Sequence, residues 1–398
     1  MHALLAARCG RASVEPGQKV SAPVDHLLLD GPAADLVLVG DTSECSQGRR
    51  LLIADGARVP RKQRRRMMRD AAAMGSPLPL DPQRGGFPEA VAVQEGFVGG
   101  GELVAAMEPS AGALGGLGSL ALRVTPQESQ QLLRQRKLTI GVPEVLQVSV
   151  RGRERRWCGP FDIALEIHAR LADRSLAPGT VLELSGDWIA GRSLPARMSL
   201  CAHLARLGHP AVVPPDAATR VFLAARHRGA GASLPVAAPD PTPAPDLELE
   251  AQDAPLSILQ EPYPGTRHVL SRTESELTVS DVVLVGDVEE LSLAVEVLRE
   301  RPLHAGLLLS VVPSDRRSLL HALEQGLLGT LLRCGAQLLP PGQLPAPARR
   351  GELRVVTRPT GAGDVLCGAA VAAVAAVTGT VMDPEAMRRA QQRTPPTL

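Results

Sequence analysis

The chain has 398 residues, 44% of them hydrophobic and 21% charged, and its 43 Lys and Arg nearly cancel 42 Asp and Glu. That length exceeds what one small core organises, so two or three globular units are expected, and the balanced charge excludes a global field that would gather nucleic acid or an anionic membrane. Two Trp, one Tyr and four Phe are too few for base-stacking surfaces, which leaves a small molecule or a protein as the expected partner.

From the N-terminus, MHALLAARCGRASVEPGQKV carries only a short apolar stretch broken by Arg8 and Arg11. No later run approaches the roughly 18 apolar residues of a membrane span, and a cytoplasmic protein is expected. The apolar segments Asp35–Gly40, Leu51–Ala54 and Leu103–Ala106 read as short buried strands. They alternate with helical stretches at Lys62–Met74 and Pro126–Leu138, the pattern of α/β layering. Between Gly229 and Pro255 the chain strings prolines among small and acidic residues and cannot pack a core. The expected organisation is therefore an N-terminal part over 1–228, a linker over 229–257 and a C-terminal domain over 258–398.

Beyond the linker the alternation is sharper. DVVLVG (Asp281–Gly286) and LLLSVVP (Leu307–Pro313) read as buried strands, Val288–Glu300 and Asp315–Gly326 as helices, and Gly335–Leu339 as a further segment. Strand and helix in such short order imply a parallel sheet with crossover helices. The Ala- and Val-rich run Cys367–Thr378 reads as a buried helix. Six cysteines (Cys9, Cys45, Cys158, Cys201, Cys334 and Cys367) are scattered without a C-x-x-C pair, so they read as reduced, buried small hydrophobes and no metal site is expected among them.

The most motif-like segment is PTGAGDVLCGAA (Pro359–Ala370), a Gly-rich turn that offers backbone donors to an anion, with Asp364 placed to act as a base. It resembles the anion hole of ribokinase-like sugar kinases, although no glycine-rich sugar-binding pattern accompanies it. A loop leading into a buried helix is the plainer alternative.

A longer resemblance runs through VEPGQKV, GELVAAMEPS, GALGGLGS, VPEVLQVSVRG, FDIALEIHARL, TVLELSGDWIAGRSLPARMSLC and PPD, and after the linker through DVVLVG, VEELSLAVEVLRERP, LLLSVVPS, ALEQGLLGTLLRCGAQLLPPG and AAVAAVTGTVMDPE. In this order and spacing the chain resembles the large subunits of the aconitase and 3-isopropylmalate dehydratase family. The resemblance implies stacked three-layer α/β/α domains with mainly parallel sheets, a separate small swivel-domain subunit as partner, and a di- or tricarboxylate ligand. It also implies a [4Fe–4S] cluster held by three cysteines, whose open iron acts as a Lewis acid. Set against the family pattern, Gly286 runs straight into Asp287, deleting the first cysteine turn, and Gln343 and Ala346 stand at the paired-cysteine positions, so no cofactor is expected. The Asp-Ser-His-Thr block corresponds to Glu108, Pro109, Ser110 and Ala111. An Asp-His pair corresponds to Asp55 and Gly56, another histidine to Glu89, and a catalytic glutamate to Arg206. Asp55 and Glu108 are thus the retained carboxylates, while the substrate-clamping loop corresponds to TRPTGAG, where Arg358 is retained with Thr360, Gly361 and Gly363 beside it and Ala362 replaces a second arginine. The expectation is a catalytically inactive or repurposed paralogue, with an active dehydratase or homoaconitase using relocated ligands (Cys334, Cys367) as the alternative inside the family.

Overall fold

The computed structural model describes residues 1–30, 50–54, 65, 69, 85–226, 244–260, 266–270, 277–299, 301–349, 351–361 and 363–393. The expected strand at Asp35–Gly40 and most of the expected helix at Lys62–Met74 lie outside these residues. The chain divides into two compact units, residues 1–152 with 170–250, and residues 153–169 with 251–398.

Among the described residues the first unit contains three sheets. Strands β1 (Lys19–Pro23), β2 (His26–Asp30), β3 (Arg50–Ala54), β4 (Leu103–Ala106), β5 (Leu120–Arg123), β6 (Lys137–Gly141), β7 (Val145–Arg151), β8 (Val181–Ser185), β9 (Ala211–Val212) and β10 (Leu247–Glu250) belong to it. One sheet is parallel throughout in the order β3-β2-β4-β5, a second is parallel in the order β10-β7-β8-β9, and β1 pairs antiparallel with β6. β4 is buried at every position, as a parallel strand covered on both faces must be.

Two expectations are corrected here. The helix expected over Pro126–Leu138 stops at Gln135, because Arg136 takes the left-handed conformation (φ 59). The next residues, KLTIG, alternate in exposure and pair with β1 as β6. The stretch expected as a linker over 229–257 contains β10, whose LELE alternation buries both leucines against β7.

A 3-10 helix, Pro109–Leu117, packs against the helix Leu194–Arg206 through glycines. A Cβ on Gly116 would lie 2.5 Å from the backbone nitrogen of Met198, and one on Gly115 would lie 1.9 Å from the carbonyl oxygen of Ala211. Only hydrogen at these positions lets the 3-10 helix approach the helix backbone at Gly116 and the β9 backbone at Gly115.

The second unit holds one seven-stranded sheet in the order β12-β11-β17-β16-β13-β14-β15, built from β11 (Ser257–Gln260), β12 (Thr266–Val269), β13 (Asp281–Gly286), β14 (Leu308–Pro313), β15 (Gln337–Leu338), β16 (Arg354–Val356) and β17 (Val365–Cys367). β17, β16, β13, β14 and β15 run parallel, and β11 and β12 add an antiparallel edge. This is the expected α/β layering with mainly parallel sheets. β13 is buried at all six positions, and its helix Val288–Leu298 opens on an Asp287–Glu290 capping box. Cys367, expected at the head of a buried helix, instead ends β17, and the helix begins at Ala369 after the extended Gly368. Among the described residues no helix is long and apolar enough to cross a membrane.

Candidate functional site

In an open parallel sheet, ligand chemistry gathers beyond the carboxyl ends of the strands where the chain reverses its direction of travel across the sheet. In the first unit this point falls between β2 and β4, because β2 leads to β3 on one side and β4 to β5 on the other. Leu28 of β2 is in register with Ala106 of β4, so the ends of these strands lie side by side. The crevice there is lined by Leu28, Glu89, Ala106, Glu108 and Ser110. Glu89 opens the helix Pro88–Gln94 and is 4% exposed, and the Ser110 hydroxyl lies 3.5 Å from its Oε2. Glu108 stands at the N-cap position of the 3-10 helix without a side-chain capping bond and is exposed. Three residues that the sequence singles out are thereby brought together without an imidazole among them. Asp55 follows the last residue of β3 and lies outside the described residues, as does Gly56. Arg206 closes the helix Leu194–Arg206 and is half-buried.

In the second unit the reversal falls between β13 and β16. After β13, Gly286 passes directly to Asp287, whose Oδ1 accepts from the backbone N–H groups of Glu289 (2.9 Å) and Glu290 (3.2 Å). Burial and the neighbouring Glu290 and Glu289 push this carboxyl well above its ordinary range. After β16, the Thr357 hydroxyl donates to the Val285 carbonyl (2.6 Å) and accepts from the Val285 N–H (2.8 Å). That clamp sets Arg358 beside the end of β13.

The loop then turns back, because β17 is parallel to β16 and must restart at the opposite end. Thr360 consequently meets Arg354, the first residue of β16, and Asp364 in turn meets Thr360. Asp364 Oδ2 accepts from the Thr360 N–H (2.6 Å), the Thr360 hydroxyl (2.8 Å) and the Gly361 N–H (2.9 Å). Arg354 donates through Nη1 to the Thr360 hydroxyl (3.1 Å) and the Ala346 carbonyl (2.6 Å), and through Nε to Asp281 (2.6 Å). The Thr360 and Gly361 donors expected to face an anion are spent inside the turn, and Asp364, 1% exposed, is a structural acceptor rather than an accessible base. The kinase-like reading of this motif finds no support in this arrangement. Ala362 lies outside the described residues, and Gly363 is exposed with φ 85.

Sequence reasoning missed one buried acid. Asp162, 0% exposed in the first turn of the helix Pro160–Leu171, accepts from the N–H groups of Gly159 (3.0 Å) and Ser257 (3.1 Å). Burial pushes its carboxyl up to about 7. Nearby, Arg267 bonds Glu166 at 2.9 Å. Burial also raises the Cys158, Cys201 and Cys367 thiols, Asp162 adding to the shift at Cys158 and Cys367. These thiols are inert small hydrophobes, as their scattering suggests. Among the described residues no three His, Cys, Asp or Glu side chains converge as a metal site.

The sequence model of the Aconitase family (aconitate hydratase) matches residues 52–240. The chain is 24% identical to the 3-isopropylmalate dehydratase large subunit of Moorella thermoacetica, over 96% of this chain and 97% of that protein. It is 26% identical to the probable 3-isopropylmalate dehydratase large subunit of Methanothermobacter thermautotrophicus, over 97% of this chain and 98% of that protein. To the probable methanogen homoaconitase large subunit of Methanosarcina mazei it is 26% identical, over 73% and 78%. Among solved structures, aconitase X of Thermococcus kodakaraensis in its holo-form matches with a TM-score of 0.51 and 10% identity, covering 94% of this chain and 90% of that chain. That likeness speaks to the fold alone.

Proposed function

We propose that this chain, a relative of the aconitase-family dehydratase large subunits, is a paralogue that holds no [4Fe–4S] cluster and binds a di- or tricarboxylate without turning it over. The observation that carries the reading is the end of β13. Where the family resemblance calls for a cysteine turn, Asp287 caps a helix and directs its carboxylate at two backbone N–H groups. The residues present do not fit the cluster in other respects. At the paired-cysteine positions Gln343 and Ala346 supply no thiolate, and the Ala346 carbonyl is tied to Arg354. Cys334 is buried after the helix Leu327–Arg333, and Cys367 is buried at the end of β17. Cys45 lies outside the described residues. The crevice of the first unit offers the carboxylates of Glu89 and Glu108 where imidazoles would be needed to move protons at neutral pH.

Arg358 is the charged group that supports carboxylate binding, because the Thr357 clamp fixes the backbone immediately before it at the β13–β16 reversal. Without a Lewis acid, affinity rests on charge and falls with salt. Because the relatives are named as large subunits, a small subunit is the proposed protein partner.

Anaerobic reconstitution followed by iron and sulfide analysis, together with calorimetry using isopropylmalate, citrate and homocitrate at low salt, tests both halves. The reading expects no cluster and weak, salt-sensitive binding that Arg358→Ala reduces by about 1.5–3 kcal/mol, the range for a charge-assisted hydrogen bond. About four irons per chain with broad visible absorption would refute the first half. Binding indifferent to Arg358→Ala would refute the second.

A further inference from the structure

We propose that the first unit carries a second small-molecule site, on the open edge of β5, that takes a free aliphatic α-amino acid. It lies outside the second unit and does not rest on the carboxylate reading above.

Among the described residues the sheet β3-β2-β4-β5 ends at β5, and a cleft of about 180 Å³ opens there. Four consecutive residues, Leu120 to Arg123, line it. On a sheet face only alternate residues are presented, so consecutive lining residues mean that the cleft runs along the strand's edge. The backbone pattern agrees. The N–H groups of Leu120 and Val124 are bonded to the carbonyls of Glu102 and Ala106. In a parallel ladder the intervening Ala121 and Arg123 therefore direct their peptide groups away from β4, toward the cleft.

The two charged residues of the cleft gather at one end. Arg123 is the last residue of β5 and in register with Ala106, the last of β4, and Glu108 follows two residues later. Arg123 is exposed and has no acceptor among the described residues. Away from that end the walls are aliphatic, with Leu120, Ala121, Ala205 and Pro210. A ligand matching this layout carries a carboxylate and an ammonium on one carbon and an aliphatic group extending from it. The carboxylate pairs with the Arg123 guanidinium and open-edge N–H groups, and the ammonium with Glu108.

The position is the carboxyl end of a parallel sheet, where loops free of ladder pairing are available to a ligand.

Calorimetric titration of the full chain with L-valine at low salt tests the proposal, with circular dichroism confirming the fold of each variant. Saturable binding is expected, at least tenfold weaker with isobutyrate, which lacks the ammonium, and with isobutylamine, which lacks the carboxylate. Arg123→Ala should weaken valine binding at least tenfold and Arg123→Lys by less. Ala121→Phe should abolish binding by filling the cleft, whereas Arg358→Ala in the second unit should leave it unchanged, which separates this site from the carboxylate reading. Absence of saturable heat, binding unaffected by Arg123→Ala or Ala121→Phe, or isobutyrate binding as tightly as valine would overturn the proposal.

Discussion

Replacing Asp162 by Asn removes a buried carboxyl whose titration is coupled to folding. In the folded chain burial lifts this group to about 7, against an ordinary value of 3.8. The direction sets the sign: a raised acid binds its proton more tightly in the native state than in the unfolded one. Its contribution to stability is therefore fully present below about pH 4, falls as the pH rises from 4 to 7, and is constant above that. A shift of about three units at about 1.4 kcal/mol each makes the swing about 4 kcal/mol. The Asn side chain keeps one acceptor for the two N–H donors of Gly159 and Ser257, so at low pH the variant is less stable by about 1–3 kcal/mol. At pH 8 that cost is offset, because wild type must hold a buried anion there. Urea unfolding of both proteins at intervals from pH 4.5 to 8, followed by the fluorescence of Trp157 in the same unit, gives the difference directly, and titrations shared by the two proteins cancel. The wild-type advantage should vanish or reverse across that range. A difference that stays constant within about 0.5 kcal/mol would show that Asp162 is already ionised in the fold and that the account of its burial is wrong.

Gly116→Ala should destabilise the first unit by about 3 kcal/mol or more, because its Cβ meets helix backbone that cannot rotate aside. Gly141→Ala, with nothing within 4 Å of the added carbon, should stay within about 0.5 kcal/mol in the same denaturation assay. Arg354→Met should cost about 3–5 kcal/mol by leaving Asp281 buried without its cation. Burial already raises the Asp281 carboxyl, and losing Arg354 raises it further, so the variant should lose more at pH 8 than at pH 5 in thermal unfolding.

The fold was readable where apolar runs are short and bounded. DVVLVG is buried at six positions in succession, and Asp287 with Glu290 announces the helix that follows. Reading failed where one residue's backbone conformation decides. Arg136 and Arg299 end their helices in the left-handed region, which arginine rarely adopts and no sequence pattern announces. It failed again at β10, where prolines masked two buried leucines that become meaningful only once β7, about a hundred residues earlier, is alongside.

The candidate site was legible in composition but not in wiring. Glu89, Glu108 and Ser110 could be paired with family positions one at a time, and the structure gathers them at one strand reversal because parallel strands deliver their loops to the same end. PTGAGD misled for the complementary reason. A Gly-rich turn ahead of an aspartate has the same composition whether its N–H groups face a ligand or its own side chain. The deciding facts are Arg354 and Asp281, 73 residues apart in sequence, which pin Thr360 so that Asp364 can take three bonds from the turn. Those bonds are local, yet they form only because β16 and β17 are parallel with just eight residues between them, forcing the loop back along the strand. The same reversal leaves Arg358 at the other end of the loop, next to the Thr357 clamp at the end of β13.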